Sequence, residues 1–328
     1  MTAAERTPIV VGLAADPSRR VALAWGADEA FRRRLPLRLV LARGRPADGQ
    51  LSAAARRRAD RRVGAPRGTA EGAVREAVAF VRDRHPCLDV STLLADDAPV
   101  VVLREQSRSA AAVVVGSRPP AGRGGAFAAP PVALPVIRHA ACPVVVVREP
   151  AVTRHAPPYI VVGVDVGWDG RRHPAAAVVH ALDAAARCGA AVRVLYVWHP
   201  PLLGVLDERA ALRECRVLMA DMVAGWRTTR PDVDLRHGVL RGDPARMLAR
   251  ESAHALALVV GAGGHGPRNL SGPVVARVLR HVPCPVVAVP RPVTYLRPFG
   301  RPGAARLVRG ARTAVGRYAR RLPRDRRA

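Results

Sequence analysis

The sequence predicts an α/β protein made of two tandem open parallel-sheet domains, flavodoxin-like or Rossmann-like in type. Three observations lead there. First, the chain repeats itself after about 145 residues: Ile9-Val10-Val11-Gly12 returns as Ile160-Val161-Val162-Gly163, and Val113-Val114-Val115-Gly116 as Leu258-Val259-Val260-Gly261. Arg138-His139-Ala140-Ala141-Cys142-Pro143-Val144-Val145 likewise returns as Arg280-His281-Val282-Pro283-Cys284-Pro285-Val286-Val287. Second, the Val-rich runs lack strict polar alternation, as strands buried on both faces do. Third, amphipathic stretches separate these runs, and strand–helix alternation at this spacing implies a parallel sheet covered by helices on both sides.

The elements follow in order. In the first copy strands are expected near Pro8 to Leu13, Leu37 to Leu41, Val90 to Leu94, Ala112 to Gly116 and Val144 to Val147. In the second copy the strands are Tyr159 to Val164, Ala191 to Val197, Val233 to Leu240, Ala257 to Gly261 and Pro285 to Val289. Helices are expected between them, over Pro174 to Cys188, Asp207 to Arg227, Pro244 to His254 and Pro273 to His281. Residues 148–158 carry Pro150, Pro157 and Pro158 without periodicity and read as a linker. The division is therefore residues 1–150, residues 151–290, and a tail, 291–328, that repeats nothing.

Composition narrows the function. The 328 residues suffice for two cores, and 49% hydrophobic content suits a globular chain. The longest apolar runs are too short to cross a bilayer, and Met1-Thr2-Ala3-Ala4-Glu5-Arg6 lacks the apolar segment of a secretory signal, so a cytoplasmic protein is expected. The five cysteines (Cys87, Cys142, Cys188, Cys215 and Cys284) are odd in number and form no Cys-x-x-Cys pair, against a disulfide framework or a zinc site. Cys142 and Cys284 occupy matching places and read as small buried hydrophobes. All 53 basic residues are Arg, which excludes a Walker-type phosphate loop with its lysine, and the formal charge of +27 favours polyanions as partners.

The chemistry-bearing constellation lies in the second copy. Its first strand ends in Asp165, and its fourth runs into Gly261-Ala262-Gly263-Gly264-His265-Gly266, then Pro267-Arg268-Asn269-Leu270-Ser271-Gly272, where a helix should begin. In an open parallel sheet, ligands sit outside the carboxyl ends of the strands. Glycines free the backbone N–H groups to face an anion, and a helix N-terminus adds partial positive charge.

These features, with the late Cys-Pro-Val-Val strand and the turn Gly242-Asp243-Pro244-Ala245, resemble the universal stress protein family, as a tandem two-domain member covering residues 8–150 and 159–291. The resemblance implies that ATP or another adenine nucleotide binds as a regulatory ligand. Asp165 and the backbone at Val197 would hold the adenosine; Gly261, Gly264 and Gly272 would hold the phosphates. It also implies that the copies pack as an internal pseudo-dimer through their last strands, with a homodimer of chains left open. The second copy departs from the family pattern twice. Seven residues, where about nine are usual, separate Gly264 from Gly272, and Pro273 replaces the Ser or Thr. Proline brings neither hydroxyl nor N–H, a loss that Ser271 and Arg268 are placed to offset. In the first copy the Asp position is Ala14, the Gly-x-x-Gly reads Gly116-Ser117-Arg118-Pro119, and Pro130-Pro131 replaces Gly-Ser, so no nucleotide is expected there.

Other residues read as structural. His139 and His281 precede the last strand of each copy, as cations at helix C-termini would. His265 reads as a solvated loop group, Asp96-Asp97 and Asp165 with Asp169 as paired acids of a kind common in loops, and Arg56-Arg57-Arg58 with Arg61-Arg62 as a solvated helix face. The tail holds twelve arginines against one acid, Asp325, with apolar residues at helical spacing from Ala304 to Leu322. It is a candidate contact for nucleic acid or an anionic membrane surface, with Tyr295, Phe299 and Tyr318 too few for base stacking. Two classes of function stay open, a nucleotide-regulated stress protein and a nucleotide-free scaffold docked through the tail. A nucleotide hydrolase is the third. The sequence offers it no placed base, nucleophile or metal cluster, so a non-enzyme is expected.

Overall fold

The computed structural model describes residues 7–14, 20–44, 67–117, 132–148, 157–165, 175–199, 207–262 and 271–290. Ten strands form one sheet: β1 (Ile9–Gly12), β2 (Leu37–Ala42), β3 (Val90–Ala95), β4 (Ala112–Gly116), β5 (Val144–Val147), β6 (Tyr159–Val164), β7 (Ala191–Trp198), β8 (Leu235–Arg241), β9 (Ala257–Gly261) and β10 (Val286–Val289). The helices are α1 (Val21–Arg33), α2 (Arg67–Arg84), α3 (Pro99–Gln106), α4 (Ala133–His139), α5 (Ala175–Cys188), α6 (Glu208–Thr229), α7 (Pro244–Glu251) and α8 (Ser271–His281).

The strand order is β3-β2-β1-β4-β5-β10-β9-β6-β7-β8. Each half therefore has the order 3-2-1-4-5, which is the Rossmann arrangement of the two that the sequence left open. Pairing is parallel within each half. At the centre β10 meets β5 antiparallel, with Val287 opposite Val145. The halves thus share one continuous sheet through their last strands.

Two apolar layers flank the sheet because successive strand residues point to opposite faces. On one face Ile9, Val11, Ile160 and Val162 pack under α1, α2, α5 and α6, through Leu23, Ala27, Val81, Val178, Leu182, Met219 and Val223. On the other, Val10, Val113, Val161 and Leu258 pack under α3, α4, α7 and α8. Val144 to Val147 are all buried, as a strand covered on both sides requires.

Two glycines fix close approaches. A Cβ on Gly26 would lie 2.4 Å from Val11 Cγ2, so α1 sits on β1 at glycine distance. A Cβ on Gly163 would lie 2.8 Å from Leu248 Cδ1, which sets α7 against β6. The junction between the halves is also clasped by side chains. Arg148, 5% exposed, donates from a terminal guanidinium nitrogen to the Val282 carbonyl at the end of α8 (3.0 Å). Burial pulls the Arg148 pKa down to about 10. Across the sheet face, Arg187 of α5 reaches Glu29 of α1 at 4.0 Å. No described helix is long and apolar enough to cross a membrane.

Candidate functional site

Three of the sequence-picked residues meet at one sheet edge. Val164 is level with Tyr196 and Gly163 with Val260. One step further along, Asp165, Val197 and Gly261 stand at the carboxyl tips of the neighbouring strands β6, β7 and β9. Adjacent strands lie about 4.8 Å apart. Asp165 and Gly261 are exposed, and among the described residues a Cβ on Gly261 would meet nothing within 4 Å, which leaves the tip of β9 open on that side. Val197 is 8% exposed; its side chain belongs to the apolar layer over α7, which leaves the main chain as its polar contribution. This is the point where the chain reverses direction across the sheet, with β7 on one side of β6 and β9 on the other.

α8 begins at Ser271, one residue before the expected Gly272, so Ser271, Gly272 and Pro273 form its first turn. Proline fits that turn because the first N–H groups of a helix have no intrahelical acceptor. Gly264, Arg268 and His265 lie outside the described residues, as do Asp169, Arg56 to Arg62, Pro130-Pro131 and the tail 291–328.

The turn after β8 is built as its sequence suggests. Gly242 has φ 144°, a left-handed conformation open to glycine, and its N–H donates to Trp198 O at 3.0 Å. Asp243 caps α7 by accepting from the Arg246 N–H at 3.0 Å, with Pro244 in the first helical position. Its second oxygen holds Arg277 of α8 at 2.7 Å. Burial pushes the Asp243 pKa up, but the Arg246 N–H and the Arg277 guanidinium outweigh it, and the carboxyl stays below its ordinary range. This clamp ties α8, whose N-terminus opens beside the crevice, to the tip of β8. Sequence reasoning found the turn and missed the clamp, since nothing local links residues 243 and 277. It also missed His199, which follows the last residue of β7 and sets its Nδ1 3.3 Å from Gly242 O.

The first half differs at the same edge. Ala14 stands exposed where the second half has Asp165. Asp96, read from sequence as an ordinary loop acid, is ion-paired with Arg43 at the tip of β2. A small cleft of about 30 Å3 opens beside Gly12, Ala14 and Arg20, room for about one water. His139 and His281 are the final residues of α4 and α8, and His281 Nδ1 lies 2.7 Å from Arg277 O in the last turn. Cys142 and Cys284 are buried, and burial pushes their thiols up to about 12 and about 11. Among the described residues no group of acids, histidines and cysteines is arranged to hold a metal.

Fold and strand order together define a tandem Rossmann-type protein with a topological switch point in each half. The chain belongs to the universal stress protein family, whose model matches residues 5–148 and 159–290. It is similar to a universal stress protein of Mycobacterium tuberculosis, 33% identical over 213 residues, covering 61% of this chain and 68% of that one. Another from the same organism is 28% identical over 272 residues, covering 79% of this chain and 87% of the relative. Among solved structures, a universal stress protein from Archaeoglobus fulgidus has a TM-score of 0.58 at 18% identity, covering 86% of this chain and 96% of its own. A putative one from Pseudomonas aeruginosa scores 0.58 at 17% identity, covering 95% and 98%.

Proposed function

We propose that this is a two-domain stress-response protein whose second domain, residues 151–290, binds an adenine nucleotide as a regulatory ligand. The observation that carries the reading is the meeting of Asp165, the Val197 main chain and Gly261 at one open sheet edge. Asp165 takes the ribose hydroxyls as an acceptor, and the end of β7 takes the base. Gly261, Gly264 and Gly272 present N–H groups to the phosphates at the start of α8. Ser271 and Arg268 supply the hydroxyl and charge that Pro273 cannot. The first domain, residues 1–150, binds no nucleotide and acts as the packing partner. The protein is a cytoplasmic sensor or effector, not a catalyst, with its ligand read out through the shared sheet.

A second reading is favoured by the tail alone. Twelve arginines against one acid in residues 291–328 suit docking on nucleic acid or an anionic membrane, with both crevices vestigial. Calorimetric titration of ATP into the intact chain and into Asp165→Ala separates the readings. The first expects heat from the intact chain and an affinity lower by about tenfold or more in the variant, or roughly 1.4 kcal/mol. No heat from either protein removes it. Unchanged retention on DNA or anionic liposomes after deletion of residues 291–328 removes the second.

A further inference from the structure

We propose that the outer edge of β8 is a docking groove for an extended acidic segment of a partner protein, which adds to the sheet as an eleventh strand. β8 ends the sheet, and no described strand pairs with its outer side. Its inward-facing groups are known from two bonds: Val192 N–H donates to Asp234 O at 2.8 Å, and Gly242 N–H to Trp198 O at 3.0 Å. Main-chain direction alternates along a strand. Leu235, His237, Val239 and Arg241 therefore turn their N–H and C=O groups outward. Arg227 of α6 takes the first outward carbonyl, that of Leu235, at 2.9 Å. It closes one end and leaves His237 and Val239 for a partner.

Beside those residues lies an open groove of about 430 Å3, lined by Arg216, Val217 and Ala220 of α6 and by His237, Gly238 and Val239 of β8. Its floor is apolar and Val217 is 54% exposed. At 100° per residue, Arg209, Arg213, Arg216, Ala220 and Arg227 fall on one flank of α6, the flank that Arg227 shows to face the strand edge. The acids of that helix lie elsewhere. Glu214 and Asp221 are roughly 100° further round, and Glu208 is paired with Arg241. Arg209, Arg213 and Arg216 form no ion pair with any described residue.

The charge selects the occupant. A second copy of β8 would bring the same arginines face to face, and the arginine-rich tail would be repelled. An extended acidic segment satisfies both demands of the groove. Its main chain bonds to His237 and Val239, and its alternate side chains fall on the face where Arg213 and Arg216 stand. Nucleic acid lacks the main-chain groups that the open strand edge requires.

The test uses the full chain and a labelled peptide that alternates Glu and Thr, read by fluorescence anisotropy and by amide exchange. Binding should slow exchange at His237 and Val239. Affinity should fall about tenfold in Arg213→Glu/Arg216→Glu and fall similarly for a peptide N-methylated at alternate residues. Arg104→Glu/Arg138→Glu, with equal net charge on exposed positions of α3 and α4, should bind as the parent does. The proposal is overturned by absence of binding or absence of protection at His237 and Val239. It is also overturned by equal affinity for the N-methylated peptide, or by equal weakening in the charge-matched control. The N-methylated peptide needs no altered protein, so the test stands even where the charge-reversed variant fails to fold.

Discussion

The two halves share strand order, helix placement and the Cys-Pro-Val-Val strand, yet they differ at the edge formed by the carboxyl ends of their strands. The first half places Ala14 at the tip of β1 and ties Asp96 to Arg43. The second places Asp165 at the tip of β6 beside an open Gly261. The difference teaches that fold and site are under separate physical constraints. Buried strands and close helix contacts depend on apolar pattern and small residues. The site depends on a few tip residues that contribute little to the core.

The largest expected effect lies at the junction of the halves. His180 on α5 is partly buried, and desolvation, with the nearby cations Arg33 of α1 and Arg187 of its own helix, pulls its pKa to about 4; Glu29 of α1 and Asp183 oppose this. The corresponding position of α1 holds Trp25, which does not titrate. A histidine with a lowered folded pKa charges first in the unfolded chain. Between the ordinary 6.5 and about 4 the unfolded state binds more protons, so stability rises with pH in that window. Acidification across it should cost up to about 3 kcal/mol, measured by urea unfolding from pH 7 to pH 4 (~3 pH units). His180→Gln should flatten that slope. An unchanged slope in the variant would place the acid sensitivity elsewhere.

Helix packing gives the next largest effect. Gly26 in α1 and the buried Ala181 in α5 each precede by eight residues the left-handed residue that ends the helix, Arg34 or Gly189. Gly26→Ala forces a methyl against Val11 and should destabilise the chain by about 1–3 kcal/mol. Ala181→Gly should cost about 1 kcal/mol, mostly through helix propensity. Equal or reversed costs, read from thermal unfolding, would mean that the two helices sit equally far from the sheet. The smallest effect concerns the thiols. A thiol reagent should modify exposed Cys87 and Cys188 in the native chain and spare Cys142 and Cys284 until unfolding. Native labelling of Cys284 detected by peptide mass would contradict that.

Much of the fold was legible because the strands are apolar runs bounded by turns. Tyr159 to Val164, Ala257 to Gly261, Ala112 to Gly116 and Val144 to Val147 begin and end where the sequence placed them. Boundaries moved where local bonding decided them. α7 stops at Glu251 because Ser252 turns its hydroxyl back to Leu248 O at 2.6 Å. β8 begins at Leu235, two residues later than its apolar pattern suggested. The candidate site was legible in Asp165 and Gly261, which follow Val-rich strands. The Asp243–Arg277 clamp, His180 between two arginines and the arginine flank beside β8 were not. Each joins residues that only tertiary packing brings together.

On the proposed reading the chain keeps one working nucleotide crevice of its two. Native mass spectrometry of the intact protein with ATP tests it most directly. One bound nucleotide per chain, lost in Asp165→Ala, is the predicted result; two nucleotides per chain, or one that survives the substitution, would contradict it.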